Sequence, residues 1–165
     1  MPTVCVLWLT RTPTDPRTGL RLALARAAVQ ERLVIVNGAL ASLERELRDQ
    51  GVWAQTTIVQ LSEFGRTLTP NARGTDHAWG GHVFVAGGGV RGGQVLGRYP
   101  SSFEEAANPH VLNKGRMVPT TPWEALWNAV GEHIGVSAEQ LGGRVLPNAP
   151  NFGPGDLLTR AQLFE

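Results

Sequence analysis

The residues best suited to chemistry crowd into one stretch, from Ser62 to His82. Ser62, Glu63 and Arg66 stand where an apolar run ends, Thr75-Asp76-His77 follows in a glycine-bounded segment, and His82 precedes the next apolar run. Carboxylate oxygens combined with imidazole nitrogens suit zinc, manganese or iron, and two such ions could polarise an ester and generate a hydroxide. Glu63, Asp76 and His77 are therefore candidate metal ligands and His82 a further one. Arg66 is a candidate catalytic contact that would hold an anionic group bidentately. Parallel sheets place such groups at the carboxyl ends of strands, where loops converge.

The same residues admit plainer roles. An Asp-His pair between glycines can be a turn in which Asp caps the backbone. Glu63 and Arg66 can form a surface ion pair, worth little to stability, and His82 can sit at the edge of a core. Residues 87–92 match G-x-G-x-x-G after a strand, but Gly93-Gln94-Val95-Leu96-Gly97 reads as strand, so no helix N-terminus would face a pyrophosphate. A glycine hairpin is expected there, not a dinucleotide site. The sequence holds no P-loop, nucleophile elbow or H-E-x-x-H pattern, and His110 and His133 read as surface residues.

These side chains need elements to hold them. Val4 to Leu9 reads as a strand buried on both faces, and Thr10 to Gly19 as a loop. Leu20 to Glu31 favours helix, after which Leu33-Val34-Ile35-Val36 turns β-branched and suggests a short buried strand. Asn37 can cap a second helix on which Leu40, Leu43 and Leu47 share a face, with Gly51 as its stop. Strands are expected at Thr56 to Leu61, at Val83 to Ala86 and at Gln94 to Tyr99. Thr121-Pro122-Trp123-Glu124 has the form of a capping box opening a helix whose core stripe is Trp123, Leu126, Trp127, Val130 and Ile134, ended by Gly135. Leu157, Leu158, Leu163 and Phe164 should pin the tail to the body.

Length and composition bound the rest. A chain of 165 residues with 42% apolar and 18% charged residues is of one-domain size and globular in type. Its 20 Gly and 11 Pro imply many tight loops. Lys+Arg 15 against Asp+Glu 14 leaves a charge of +1, too little for nucleic acid as a partner. Cys5 is alone, which excludes an internal disulfide and a zinc ribbon. The apolar run at Val4 to Leu9 is far shorter than the ~18 residues of a membrane span, and no Lys or Arg precedes it as in an export signal.

Three passages together carry a resemblance: Ser62-Glu63-Phe64-Gly65-Arg66-Thr67, Gly74-Thr75-Asp76-His77-Ala78-Trp79-Gly80-Gly81, and the glycine-rich 85–93. With Asn-Gly at positions 37–38 and Pro119-Thr120-Thr121-Pro122-Trp123-Glu124, they resemble the DUF1501 family, sulfatase-like proteins related to the alkaline phosphatase superfamily. The resemblance divides the chain into a divergent N-terminal segment, 1–36, and a C-terminal part of such a domain, 37–165. It implies an α/β fold, a partial alkaline-phosphatase-like sheet of three to five mostly parallel strands flanked by helices. It also implies a divalent metal, zinc, manganese or calcium, and a sulfuric or phosphoric ester as the anionic substrate.

By that likeness Glu63 stands where the superfamily has an Asp followed by His, Phe64 replaces that His, and Asp76-His77 lies near the later metal-binding His. An Asp-x-His loop normally precedes the helix that starts here at Asn37. Upstream this sequence offers only Asp15, and no His before His77. The expected outcome is a hydrolase-like portion with weak or no activity alone. The alternatives are a non-catalytic remnant or interaction module that pairs with itself or a partner chain, and an incomplete gene model. Relatives often look exported, a property this sequence shows no signal for.

Overall fold

A computed structural model describes residues 16–71, 74–153 and 155–165, with side chains from residue 27 onward. The expected strand at Val4 to Leu9 and the loop up to Asp15 lie outside the described residues. The chain divides into two compact units, Met1–Thr56 and Thr57–Glu165, each taken here by itself.

In the first unit a single helix, α1, runs Pro16–Asp49 over 34 residues. It replaces the expected sequence of loop, helix, strand and helix. Each β-branched residue in a helix costs only about 0.5 kcal/mol relative to Ala, and the Ala, Leu, Arg and Glu residues on either side of 33–36 are strong helix formers. A strand there would need a partner for its ladder, and residues 33–36 pair with none. Gly51 stops the helix as expected: at φ +73 it closes a Schellman turn with Val52 N–H on Leu47 O at 2.9 Å and its own N–H on Arg48 O at 3.0 Å. The Arg48 guanidinium is held by Glu44 at 2.9 Å and lies 5.2 Å from the ring of Trp53.

Among its described residues the second unit contains six short strands, all paired antiparallel. β1 (Thr57–Gln60) pairs with β4 (Phe84–Gly87), β2 (Gly65–Asn71) with β3 (Gly74–Ala78), and β5 (Val111–Leu112) with β6 (Arg116–Met117). The expected parallel, alkaline-phosphatase-like sheet is therefore overturned. Parallel neighbours need a crossover of a dozen or more residues, usually helical. Here two residues join β2 to β3, three join β5 to β6, and the excursion from β1 to β4 is itself a hairpin rather than a helix. The segment Gln94 to Tyr99 is not a strand either. Instead Val90 bridges antiparallel to Phe164, and the Gln94 amide donates to Gln162 O at 2.8 Å.

That bridge seats the C-terminus in the larger core. Leu126, Ala129, Leu163 and Phe164 are buried together, with Val59 and Val85 of the β1–β4 pair, Val90, Leu96, Val130 and Leu158 packed on them. A smaller cluster joins Leu141, Leu146 and Ala149 with Trp127, Val136 and Leu157. The tail is thus pinned by the four residues expected to pin it. Helix α2 (Trp123–His133) presents Ala125, Leu126 and Ala129 inward, whereas Trp123 is 50% and Ile134 70% exposed, so the buried stripe is rotated from the expected one. Its start also differs. Pro122 itself occupies the cap position with no side-chain bond, which moves Glu124 to the second helical position and leaves the Thr121 box unmade. The capping box forms instead at Ser137, before α3 (Ala138–Gln140), and Thr159 N–H bonds Gln162 Oε1 at 2.8 Å before α4 (Arg160–Leu163). Gly135 ends α2 at φ +86. His133, expected at the surface, is half-buried, its ring stacked on Phe164 at 3.7 Å.

Close backbone contacts help to fasten the β2–β3 hairpin beside β6. Gly80 N–H bonds Met117 O at 2.7 Å, and a Cβ on Gly65 would overlap the Gly80 carbonyl. Nothing flexible can yield there. Gly65→Ala should therefore lower unfolding stability by about 1–3 kcal/mol, while Gly143→Ala, into open space, should stay within about 0.5 kcal/mol of the parent in urea titrations.

Candidate functional site

Arg66, Asp76 and His77 lie within strands rather than on loops at strand ends. They belong to the β2–β3 hairpin, whose register pairs Arg66 with His77 and then jumps to Pro70 with Thr75. Three residues, 67–69, thus oppose Asp76 alone, a bulge that interrupts the ladder. Thr67, 3% exposed, fills the gap: its hydroxyl donates to Thr69 O at 2.9 Å and accepts Asp76 N–H at 3.1 Å. A side chain thereby satisfies the backbone donor that the bulge leaves without a ladder partner.

Strand pleating then separates the two central candidates. Neighbouring residues of a strand point to opposite faces, so Asp76 and His77 diverge. On one face the Asp76 carboxylate accepts from Asn71 Nδ2 at 2.6 Å and faces Lys114 Nζ at 3.4 Å. On the other, His77 stacks on Phe64 with centroids 3.8 Å apart, and the Arg66 guanidinium lies 5.1 Å from the Phe64 centroid. Arg66 Nη1 also donates to Thr75 O at 2.8 Å. This holds the guanidinium to the strand while its other N–H groups have no protein acceptor among the described residues. Glu63 is exposed in the bend before β2, touched by Ser62 Oγ at 3.3 Å. His82 is exposed in the link between β3 and β4.

The structure therefore groups Arg66, His77 and Phe64, and separates them from Asp76. Among the described residues no three His, Cys, Asp or Glu side chains stand close enough to share a metal ion. The donor chemistry agrees: a carboxylate that already faces an ammonium group is a poor cation ligand. In this arrangement the residues do not fit a divalent metal.

Sequence reading missed Phe64, Thr67, Asn71 and Lys114. Lys114 reaches Asp76 from the Asn113-Lys114-Gly115 link, where both Lys114 (φ 64) and Gly115 (φ 70) are left-handed. The only sequence signal was Asn-x-Gly between Val111-Leu112 and Arg116-Met117, a three-residue hairpin pattern. Lys in that conformation costs about 1–2 kcal/mol relative to a right-handed one, which the surrounding turn must offset.

The Asp76 carboxyl is held below its ordinary value, first by the Asn71 hydrogen bond, then by Lys114. The Gly87–Gly92 stretch carries no nucleotide site of the helix-capped kind: β4 runs into a turn and then the Val90 bridge, with no helix following.

A family model described as "Protein of unknown function (DUF1501)" matches residues 25–118, from within α1 to the residue after β6. No curated protein and no solved structure matches the chain.

Two substitutions test this hairpin. Thr67→Val should cost about 1–3 kcal/mol, because the Asp76 N–H loses its acceptor inside the bulge. For Asp76 the folded-state carboxyl titrates lower than the unfolded 3.8, so its stabilising effect is complete above that value and disappears as pH falls through the depressed folded one. Thermal unfolding of parent and Asp76→Asn should therefore differ near neutral pH and converge as pH drops below 3.8.

Proposed function

On the premise that the chain belongs to the DUF1501 family, shown by the match over 25–118, we propose that it is the C-terminal part of a sulfatase- or phosphatase-like hydrolase domain with weak or no catalysis of its own. One observation carries this reading. Arg66 is fixed from two sides, by Thr75 O and the Phe64 ring, while most of its donors face outward beside the exposed His77.

A guanidinium held that way recognises a sulfate or phosphate group without first losing rotamer freedom. Turnover is a separate matter. Hydrolysis of such an ester needs a nucleophile or an activated water in line with the scissile bond and a means of stabilising the leaving oxygen. Ser62 Oγ is bonded to Glu63 rather than to an imidazole, and Asp76 is turned from Arg66 by the pleat. Binding without turnover is what these positions support. No step is assigned to a metal, since the donor set does not fit one.

A second reading, a non-catalytic interaction module, is favoured by the open edges of the three two-stranded sheets.

Titrating the full chain with 4-nitrophenyl sulfate and 4-nitrophenyl phosphate should show saturable binding and release of nitrophenol no faster than buffer. Arg66→Ala should weaken binding about ten- to a hundredfold, the range of one charged hydrogen-bonded contact. Equal binding by the parent and Arg66→Ala, or turnover abolished by Asp76→Asn, would sink the reading. Elemental analysis of the parent and of His77→Ala should find no stoichiometric metal in either.

A further inference from the structure

Helix α1 carries an apolar seam that the hairpin reading does not use. Val29, Leu33, Val36, Leu40, Leu43 and Leu47 follow one another at alternating spacings of four and three. That period is 3.5 residues, the repeat of helices that pack along their length. In heptad terms Leu33, Leu40 and Leu47 take the a positions, and Val29, Val36 and Leu43 the d positions. Along the seam Val29 is 40%, Leu33 41%, Val36 46% and Leu43 43% exposed, with Leu40 and Leu47 half-buried. Helices draw most of their stability from packing an apolar face, so this much exposed apolar surface on a helix of 34 residues calls for a partner.

We infer that the seam pairs with the same seam of a second copy of this chain, the two helices running antiparallel. The seam is self-complementary in that direction. Layers form between Leu33 and Leu43, Leu40 and Val36, and Leu47 and Val29 of opposite copies, each made twice by the two-fold axis. Arg32 and Glu46, both flanking g positions, come opposite one another across the pair, and symmetry repeats that charge match.

Charge decides the direction. In a parallel pair Arg32 would meet Asn37 and Ala39 would meet Glu44, so no opposite charges face each other. The core residues agree, because parallel two-stranded coils favour β-branched residues at a and Leu at d, whereas Leu stands here at all three a positions and Val at two of the three d positions. Val34 and Ile35, 66% and 57% exposed, fall at the outer b and c positions and take no part.

This inference deepens the interaction-module reading and stands on α1 alone. Sedimentation equilibrium of the full chain should show a monomer–dimer equilibrium. Leu40→Glu should weaken it more than about a hundredfold, since two buried leucines are lost per dimer. Arg32→Glu and Glu46→Arg should each weaken it, and the double variant Arg32→Glu/Glu46→Arg should restore it. Far-UV circular dichroism and the unfolding midpoint of each variant report that the chain still folds.

A parent that stays monomeric overturns the inference, as does a dimer indifferent to Leu40→Glu or not restored by the double charge swap. Ester binding measured on the Leu40→Glu variant keeps the two proposals apart. Unchanged binding there, with dimerisation lost, supports both; a parent that dimerises but binds no ester removes only the hairpin reading.

Discussion

Successive residues of an extended chain face opposite ways, and at Asp76-His77 this two-residue period governs everything the hairpin can do. It sends the carboxylate toward Asn71 and Lys114 and the imidazole toward Phe64 and Arg66. Two residues adjacent in sequence thereby end in separate electrostatic settings. One face is a neutralised carboxylate, the other a fixed guanidinium beside an aromatic stack. The bulge does not reverse the separation, because the Thr67 hydroxyl stitches the strand back together at Asp76.

The hairpin that carries the pleat sits close against β6. Its fastening to β6 rests on glycine at two facing positions, Gly65 and Gly80, where backbones approach too closely for any side chain. Elsewhere the unit is fastened by its own end. Phe164, 2% exposed, bridges Val90, stacks on His133 and completes the cluster with Leu126 and Ala129. Contacts spanning some seventy residues close this core, and they draw Gln94 and Arg91 onto the last helix through Gln162 O and Ala161 O. Folding of the unit is therefore tied to its non-local contacts, which carry a loop-closure cost that local helices avoid.

Local signals in the sequence were read well where one residue type suffices. Gly51 and Gly135 stop their helices because only a residue without Cβ takes positive φ cheaply. The strand near 57–60 shows as a short β-branched run and that near 84–87 as a short apolar one, and Leu157, Leu158, Leu163 and Phe164 show as the apolar part of a polar tail. Residues 33–36 look like a strand because β-branching is counted, yet their helical neighbours outweigh it once no ladder partner is present. Residues 94–99 look like a strand as a partly apolar stretch after a glycine turn, yet they join no ladder, and Val90 ahead of them bridges Phe164. The parallel sheet was inherited from a family likeness, and short connections excluded it.

The types of the candidate residues, and their confinement to 62–82, were determined by sequence alone. The seam of α1 was not, since residues 33–36 read as a strand and only the single helix Pro16–Asp49 joins the two halves of the repeat. Sequence could not determine which of those residues would share a space. Asp76 and His77 are one bond apart along the chain, yet the pleat parts them, while Lys114 arrives from 38 positions away to occupy the carboxylate. Proximity in sequence carries no information about which face a side chain takes until the register of the pair is set. That register depends on contacts with Thr67, Gly80 and Met117, which belong to the tertiary structure.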